Sequence, residues 1–130
     1  MAATQTSRST LEADAATAVA RFQHDRHGHF PEVVRARLVD DLLIVCCSGT
    51  FNRLEHELRT TPEGQKLIQS ARREMQTDFR HELHALIEGI TDCRVVRSFY
   101  DIDVRTGDEA KVFVLDRIPE TVETGQPRVL

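Results

Sequence analysis

From Thr61 to Thr91 the chain carries Leu67, Ala71, Met75, Phe79, Leu83 and Ile87, one apolar residue every four positions. Ile68, Leu86 and Ile90 widen the stripe, while Gln69, Arg73, Gln76, Arg80, His84 and Glu88 fall toward the other side. That period marks the apolar face of an amphipathic helix. Thr61 can cap the first turn, Pro62 suits the first helical position, and Glu63 puts negative charge at the positive end of the dipole. Gly89 weakens the last turn and Thr91-Asp92 reads as the exit. A helix of about 28 residues is about 42 Å long, more than the roughly 30 Å across a small domain. The stretch is therefore expected to bend or break, and its stripe to be shared in a homodimer. The plain alternative is an ordinary core helix.

The rest of the chain reads as cover for that helix. Met1–Arg8 is polar and expected to be flexible. Ser9-Thr10-Leu11-Glu12 resembles a capping box, and Leu11, Ala15, Ala18, Val19 and Phe22 follow at helical spacing, to about His24. Gly28 and Pro31 punctuate the segment after it. Val34, Ala36 and Leu38 alternate with Arg35 and Arg37, as on a half-buried strand. Asp40-Asp41 is a short turn, and Leu42 to Cys47 is apolar enough for a strand buried on nearly both faces. Asn52 and Glu55 start a short helix ending near Thr60. A second hairpin follows the long helix. In its first strand Val96, Tyr100 and Ile102 share one face and Arg97, Asp101 and Asp103 the other; Thr106 to Glu109 forms the turn, and Ala110 to Leu115 returns. Two hairpins can pair as one antiparallel four-stranded sheet with helices on one face. The expected fold is a two-layer α+β domain of order αββααββ over residues 9–116, with an extended or disordered tail at 117–130.

Composition narrows the function classes. The chain has 130 residues, 40% hydrophobic and 29% charged, which suits one domain with one core. No apolar run approaches the ~20 residues that cross a bilayer, and Met1–Ser9 lacks the apolar core of a secretory signal. A cytoplasmic protein with no direct membrane insertion is expected. The net charge of −4 argues against a nucleic-acid partner. Three cysteines, two of them adjacent, form no disulfide framework and fit a reducing compartment.

Four groups of residues are candidates for chemistry. His24, His27 and His29 lie within six positions and could hold zinc or another divalent metal; the plain account is a solvated loop. His81-Glu82-Leu83-His84 falls one residue short of the i, i+4 histidine spacing of a zincin helix, so no catalytic role follows. Cys46 and Cys47 point to opposite faces of a strand with no basic neighbour in the segment to activate a thiol. Asp40, Asp41, Asp101 and Asp103 are read as turn and strand-face carboxylates that could meet a cation. No coherent catalytic set emerges, and the chain is expected not to be an enzyme.

An ordered series of patterns does carry a resemblance. The stretch VVRARLVDDLLIVCCSGTF, and then TPEGQKLIQSARREMQTDFRHELHALIEGITDCRVVRSFYDIDVRTGDEAKVFVLD, resemble the MpsC-like domain family over about residues 10–116. The matching features are the Val-Asp-Asp strand end, the long helix, the hairpin around Thr106-Gly107 and the closing Val-Phe strand. Where that family has a Gly-x-Gly-Pro turn, this chain has Gly28-His29-Phe30-Pro31. The family, formerly a domain of unknown function, is associated with a sodium-translocating, or inorganic-carbon-linked, membrane potential-generating system. The resemblance implies a cytoplasmic accessory or regulatory module, peripheral to the inner membrane, that works by protein–protein contact with membrane transport subunits. It carries over no active-site residues. The exposed sheet face with Arg35, Arg37 and Arg97, or an end of the long helix, is the expected docking surface. The alternative is a metal- or small-ligand-binding protein, an enzyme included, using the His24, His27 and His29 loop.

Overall fold

The computed structural model describes residues 6–122. Helix α1 (Arg8–His27) leads into strands β1 (Val33–Val39) and β2 (Leu42–Ser48). Helices α2 (Arg53–Leu58), α3 (Pro62–Asp78) and α4 (Arg80–Thr91) come next, followed by β3 (Val95–Asp103) and β4 (Asp108–Leu115). The four strands form one antiparallel sheet in the order β1-β2-β4-β3, so the two hairpins join through β2 and β4. The helices pack against one face of the sheet, and the α+β architecture is as expected. Of the expected flexible ends, 1–5 and 123–130 lie outside the described residues, and 117–122 holds no helix or strand.

Helix α1 starts earlier and ends later than its sequence pattern suggested. Ser7 is its N-cap, its side chain accepting a hydrogen bond from the Thr10 amide. Glu12 makes no capping box; its carboxylate accepts instead from the Leu38 amide at 2.7 Å. That contact ties α1 to the outermost strand and satisfies an amide that an edge strand would leave open. Gly28 closes α1 in the left-handed region at φ 72°, a conformation that costs glycine little. His24 and His27 are therefore helical, and only His29 lies in the loop. Leu11, Ala15, Val19 and Gln23 make its buried face.

The long helix breaks at Phe79. Phe79 closes α3, its amide donating to the Met75 carbonyl, and opens α4 with no side-chain cap. Its ring meets Phe22 edge-on at 6.3 Å, and the Arg26 guanidinium sits 4.8 Å over it. The pull of that aromatic contact toward α1 is a physical reason for the break at this residue. The stripe is also rotated from the expected one. Gly64, Ile68 and Arg72 are buried in α3, whereas Leu67 is 60% exposed and Ala71 is exposed. In α4 the buried line is Leu83, Ile87 and Thr91.

The main core joins Leu11, Ala15 and Val19 of α1 with Ala36, Leu43, Val45, Phe113 and Leu115 of the sheet and Leu83 and Ile87 of α4. A smaller cluster of Phe51, Ile68 and Ile102 lies under α2 and α3. Two strands depart from their expected faces. A bulge between Val95 and Arg97 leaves Val96 52% exposed, so only Tyr100 and Ile102 of the expected trio face the helices. In β2 only Leu43, Val45 and Cys47 are buried, while Leu42, Ile44 and Cys46 look out from a sheet face that no described helix covers.

Candidate functional site

The candidate site is a buried polar cluster between the helices and the C-terminal hairpin. Period two along β4 puts Glu109 and Lys111 on the same face as Phe113 and Leu115, so two charges enter the interior. Arg72 follows Ile68 by four residues on the buried face of α3. Gln23 and His27 extend the series Leu11, Ala15, Val19 on α1. Arg72 is 2% exposed, and Glu109 and Lys111 are 4% each.

Burying these charges is costly unless each is paired and hydrogen-bonded. Arg72 meets that requirement with a two-pronged contact to Glu55, at 2.6 Å from Nε and 2.7 Å from Nη2. Its Nη1 donates to Glu109 at 3.0 Å, and Nη2 also donates to the Thr50 carbonyl at 2.9 Å. Glu109 accepts further from the Tyr100 hydroxyl, and from Gln23 Nε2 at 2.5 Å. Lys111 Nζ lies 3.8 Å from Glu109, 3.4 Å from Gln76 Oε1, and 4.6 Å over the Tyr100 ring. Two cations thus balance two carboxylates. A cavity of about 10 Å³ adjoins them, room for roughly one water.

The electrostatics follow from that arrangement. Burial raises the pKa of Glu109, but Lys111 and Arg72 outweigh it and hold the carboxyl below its usual value. Glu55 is likewise held low by Arg72 and the Asn52 amide against the cost of burial. Burial and the Glu109 charge push the Tyr100 phenol up. Burial also raises Cys47 to about 11, so its thiol stays protonated at neutral pH. All three guanidinium nitrogens of Arg72 and both carboxylate oxygens of Glu109 have hydrogen-bond partners inside the protein. The cluster can lock α1, α2, α3 and the second hairpin together.

His27 faces this cluster from α1. Burial, and then the Arg72 charge, lower its pKa to about 4. The folded protein therefore holds a neutral imidazole where the unfolded chain takes up a proton near pH 6.5. Stability from this residue is complete above pH 6.5 and is lost as pH falls toward 4. The slope is at most about 1.4 kcal/mol per pH unit, less for a ring that keeps some solvent. In thermal melts between pH 7 and 4.5, His27→Gln is expected to flatten the fall in Tm with acid. Identical slopes for the two proteins would show that His27 does not titrate this way.

The three histidines have different partners. His24 lies outside, stacked on Phe30 at 4.0 Å with Nδ1 3.4 Å from Asp25. His27 turns inward to the cluster, and His29 Nε2 is 3.2 Å from the Gly49 carbonyl. Among the described residues, no group of three or more His, Cys, Asp or Glu is arranged to hold a metal ion. His84 is half-buried, with Nε2 2.7 Å from Ser98 Oγ, while Glu82 pairs with Arg26. Arg35, Arg37 and Arg97 are exposed on the uncovered sheet face. Sequence reasoning missed the Arg72–Glu109 pair altogether. The signal was present in the period-two placement of Glu109 with Phe113, and in the four-residue step from Ile68 to Arg72.

The family model described as "Na+-translocating membrane potential-generating system (MpsC)" matches residues 7–117 of the chain. An uncharacterized protein of Bacillus subtilis (strain 168), YrhF, is 23% identical over 100 residues, covering 76% of this chain and 82% of that protein. No solved structure matches.

Proposed function

The chain belongs to the MpsC family, and from that premise we propose that it is a non-enzymatic accessory module of a membrane ion-transport system. The family description itself ties the chain to a membrane potential-generating system. No helix among the described residues is long and apolar enough to cross a membrane. On this reading the module acts on its partners by protein–protein contact, as a homodimer at the cytoplasmic side of the membrane. The match over residues 7–117, which takes in every element of the fold, is the observation that carries this reading. The internal pairing of Arg72 with Glu55 and Glu109 supports a structural use of the interior. Two surfaces are available for contact: the uncovered sheet face, and the outer side of the helix layer.

The test is co-purification. Tagged protein recovered from its own cells after mild solubilisation is expected to bring subunits of a cation- or inorganic-carbon-transporting membrane complex, identified by mass spectrometry. Recovery of the protein free of any such subunit, from cells in which the complex is present, would overturn the proposal.

A further inference from the structure

The uncovered face of the sheet has a charge pattern that fits a second copy of itself. The strand register defines its rows. Arg37, Ile44, Val112 and Phe99 lie side by side across β1, β2, β4 and β3. Arg35, Cys46, Ala110 and Asp101 form the next row, and Val39, Leu42, Val114 and Arg97 the row on the other side. The two central columns are apolar throughout these rows. The β1 column carries Arg35 and Arg37, and the β3 column carries Phe99, 59% exposed, then Asp101 and Asp103. Between Arg35 and the acidic residues the surface dips into a concavity of about 320 Å³.

We infer that two chains stack these faces in a two-fold sandwich whose axis runs parallel to the strands, between β2 and β4. This names the surface for the homodimer of the functional reading and rests on that part of it alone. Such an axis reverses the order of the columns but not of the rows. Arg35 of one copy then lies over Asp101 of the other, twice, and Arg37 lies over the face of Phe99, where a guanidinium is attracted. The apolar columns of β2 and β4 pack on each other, as in aligned sheet packing. A two-fold axis across the strands is disfavoured, because it would set Arg35 and Arg37 over the same arginines. Within one chain Arg35 and Asp101 stand on opposite edges of the sheet, three strand spacings or roughly 14 Å apart, too far to pair. Asp101 Oδ1 accepts from the Ile102 amide at 2.9 Å, and its ion-pair contact is an exposed one with Arg73 at 3.5 Å, which a closer partner can replace. Four strands of about seven residues give a footprint of roughly 450 Å² per copy. That is the low end for a specific interface, so the dimer is a dissociable one.

Sedimentation equilibrium of the purified chain, from low to high micromolar concentration, tests the assignment. Wild type is expected to interconvert between 14.8 kDa and twice that mass. Ile44→Lys, which buries two lysines at the centre of the sandwich, should raise the dissociation constant at least about 100-fold. Arg35→Asp sets like charges together and should raise it about tenfold or more. Arg35→Asp combined with Asp101→Arg should bring it back to within about threefold of wild type, since the pair re-forms with its signs exchanged. Leu67→Glu, on the exposed side of α3, should leave it unchanged. A monomer at every concentration would overturn both the sandwich and the homodimer. A dimer broken by Leu67→Glu, or indifferent to Ile44→Lys, or not restored by the exchange, would overturn the sandwich alone. None of these outcomes bears on the co-purification of membrane subunits.

Discussion

Arg72→Met is expected to destabilise the fold by about 3–5 kcal/mol, the range for breaking a buried ion pair by removing one partner. Methionine fills much of the same volume, so the loss comes mainly from what is left behind. Glu109, 4% exposed, would keep only Lys111 at 3.8 Å as a cation. Glu55 would lose both of its short contacts, and the Thr50 carbonyl its donor. A fall in Tm on the order of 15 °C corresponds to such a loss in a domain of this size. The pH response should change with it. The low pKa of Glu109 depends on Lys111 and Arg72, and that of Glu55 on Arg72. In wild type the stability from these carboxylates is present above their unfolded values and lost as pH falls through the lower folded ones. With Arg72 gone the carboxyls move upward, and that part of the acid sensitivity shrinks. Urea titration of Arg72→Met, Glu109→Gln and the double variant measures the coupling, expected at about 1.5 kcal/mol or more. Additive losses, or a single loss under about 1 kcal/mol for Arg72→Met, would mean that the cluster is not the lock described here.

The second large effect is at Gly64. A Cβ there would lie 1.8 Å from the Leu58 carbonyl oxygen and 2.6 Å from its carbon, both backbone atoms. The neighbour cannot rotate away, so α2 and α3 would have to separate at their elbow. Gly64→Ala is expected to cost about 3 kcal/mol or more, the upper part of the overpacking range, despite alanine's better helix propensity. The damage reaches the cluster, because Glu55 rides on α2 and meets Arg72 on α3. Gly64→Ala and Arg72→Met should therefore be less than additive. Gly89 supplies the contrast, since a Cβ there meets nothing within 4 Å. Gly89→Ala is expected to stabilise by about 0.5–1 kcal/mol. Chemical denaturation of both variants decides the matter: a loss at Gly64 no larger than about 0.5 kcal/mol would mean that the elbow gives way easily.

Much of the fold was legible because local rules and packing agree. Thr61 and Pro62 start α3, and Asn52 with Glu55 makes a full capping box. The Asp40-Asp41 turn sets the first hairpin in register, with Val39 opposite Leu42. The departures occur where a distant contact outweighs the local pattern. Ser9 and Glu12 have the spacing of a capping box, but Glu12 gains more from the free amide of an edge strand. Phe79 fits an uninterrupted stripe, yet it is drawn to Phe22 and Arg26 on another helix. Of the cluster, Gln23 and His27 were legible only as the next two steps of a four-residue series. Arg72 lies beside the stripe read from the sequence, and its partner Glu109 is 37 positions away in the chain. A charge facing inward is legible from sequence only when its counter-charge is recognised with it, and nothing local connects these two.

The joining of β2 to β4 has a consequence for synthesis. Leu42 pairs with Val114 and Cys47 with Glu109, while Ser48 and Asp108 lie 60 positions apart in the chain. A ribosome adding about 5–20 residues per second needs roughly 3–12 s to cover that distance. Through that interval the first hairpin exists with one long edge of β2 unpaired, and that edge runs through Leu42 to Cys47. Such an edge is a template for any other strand nearby, including β2 of a neighbouring nascent chain. Newly made copies on one message are thus most prone to tangling during the passage of α2, α3 and α4 through the exit tunnel, and arrival of β4 ends the hazard.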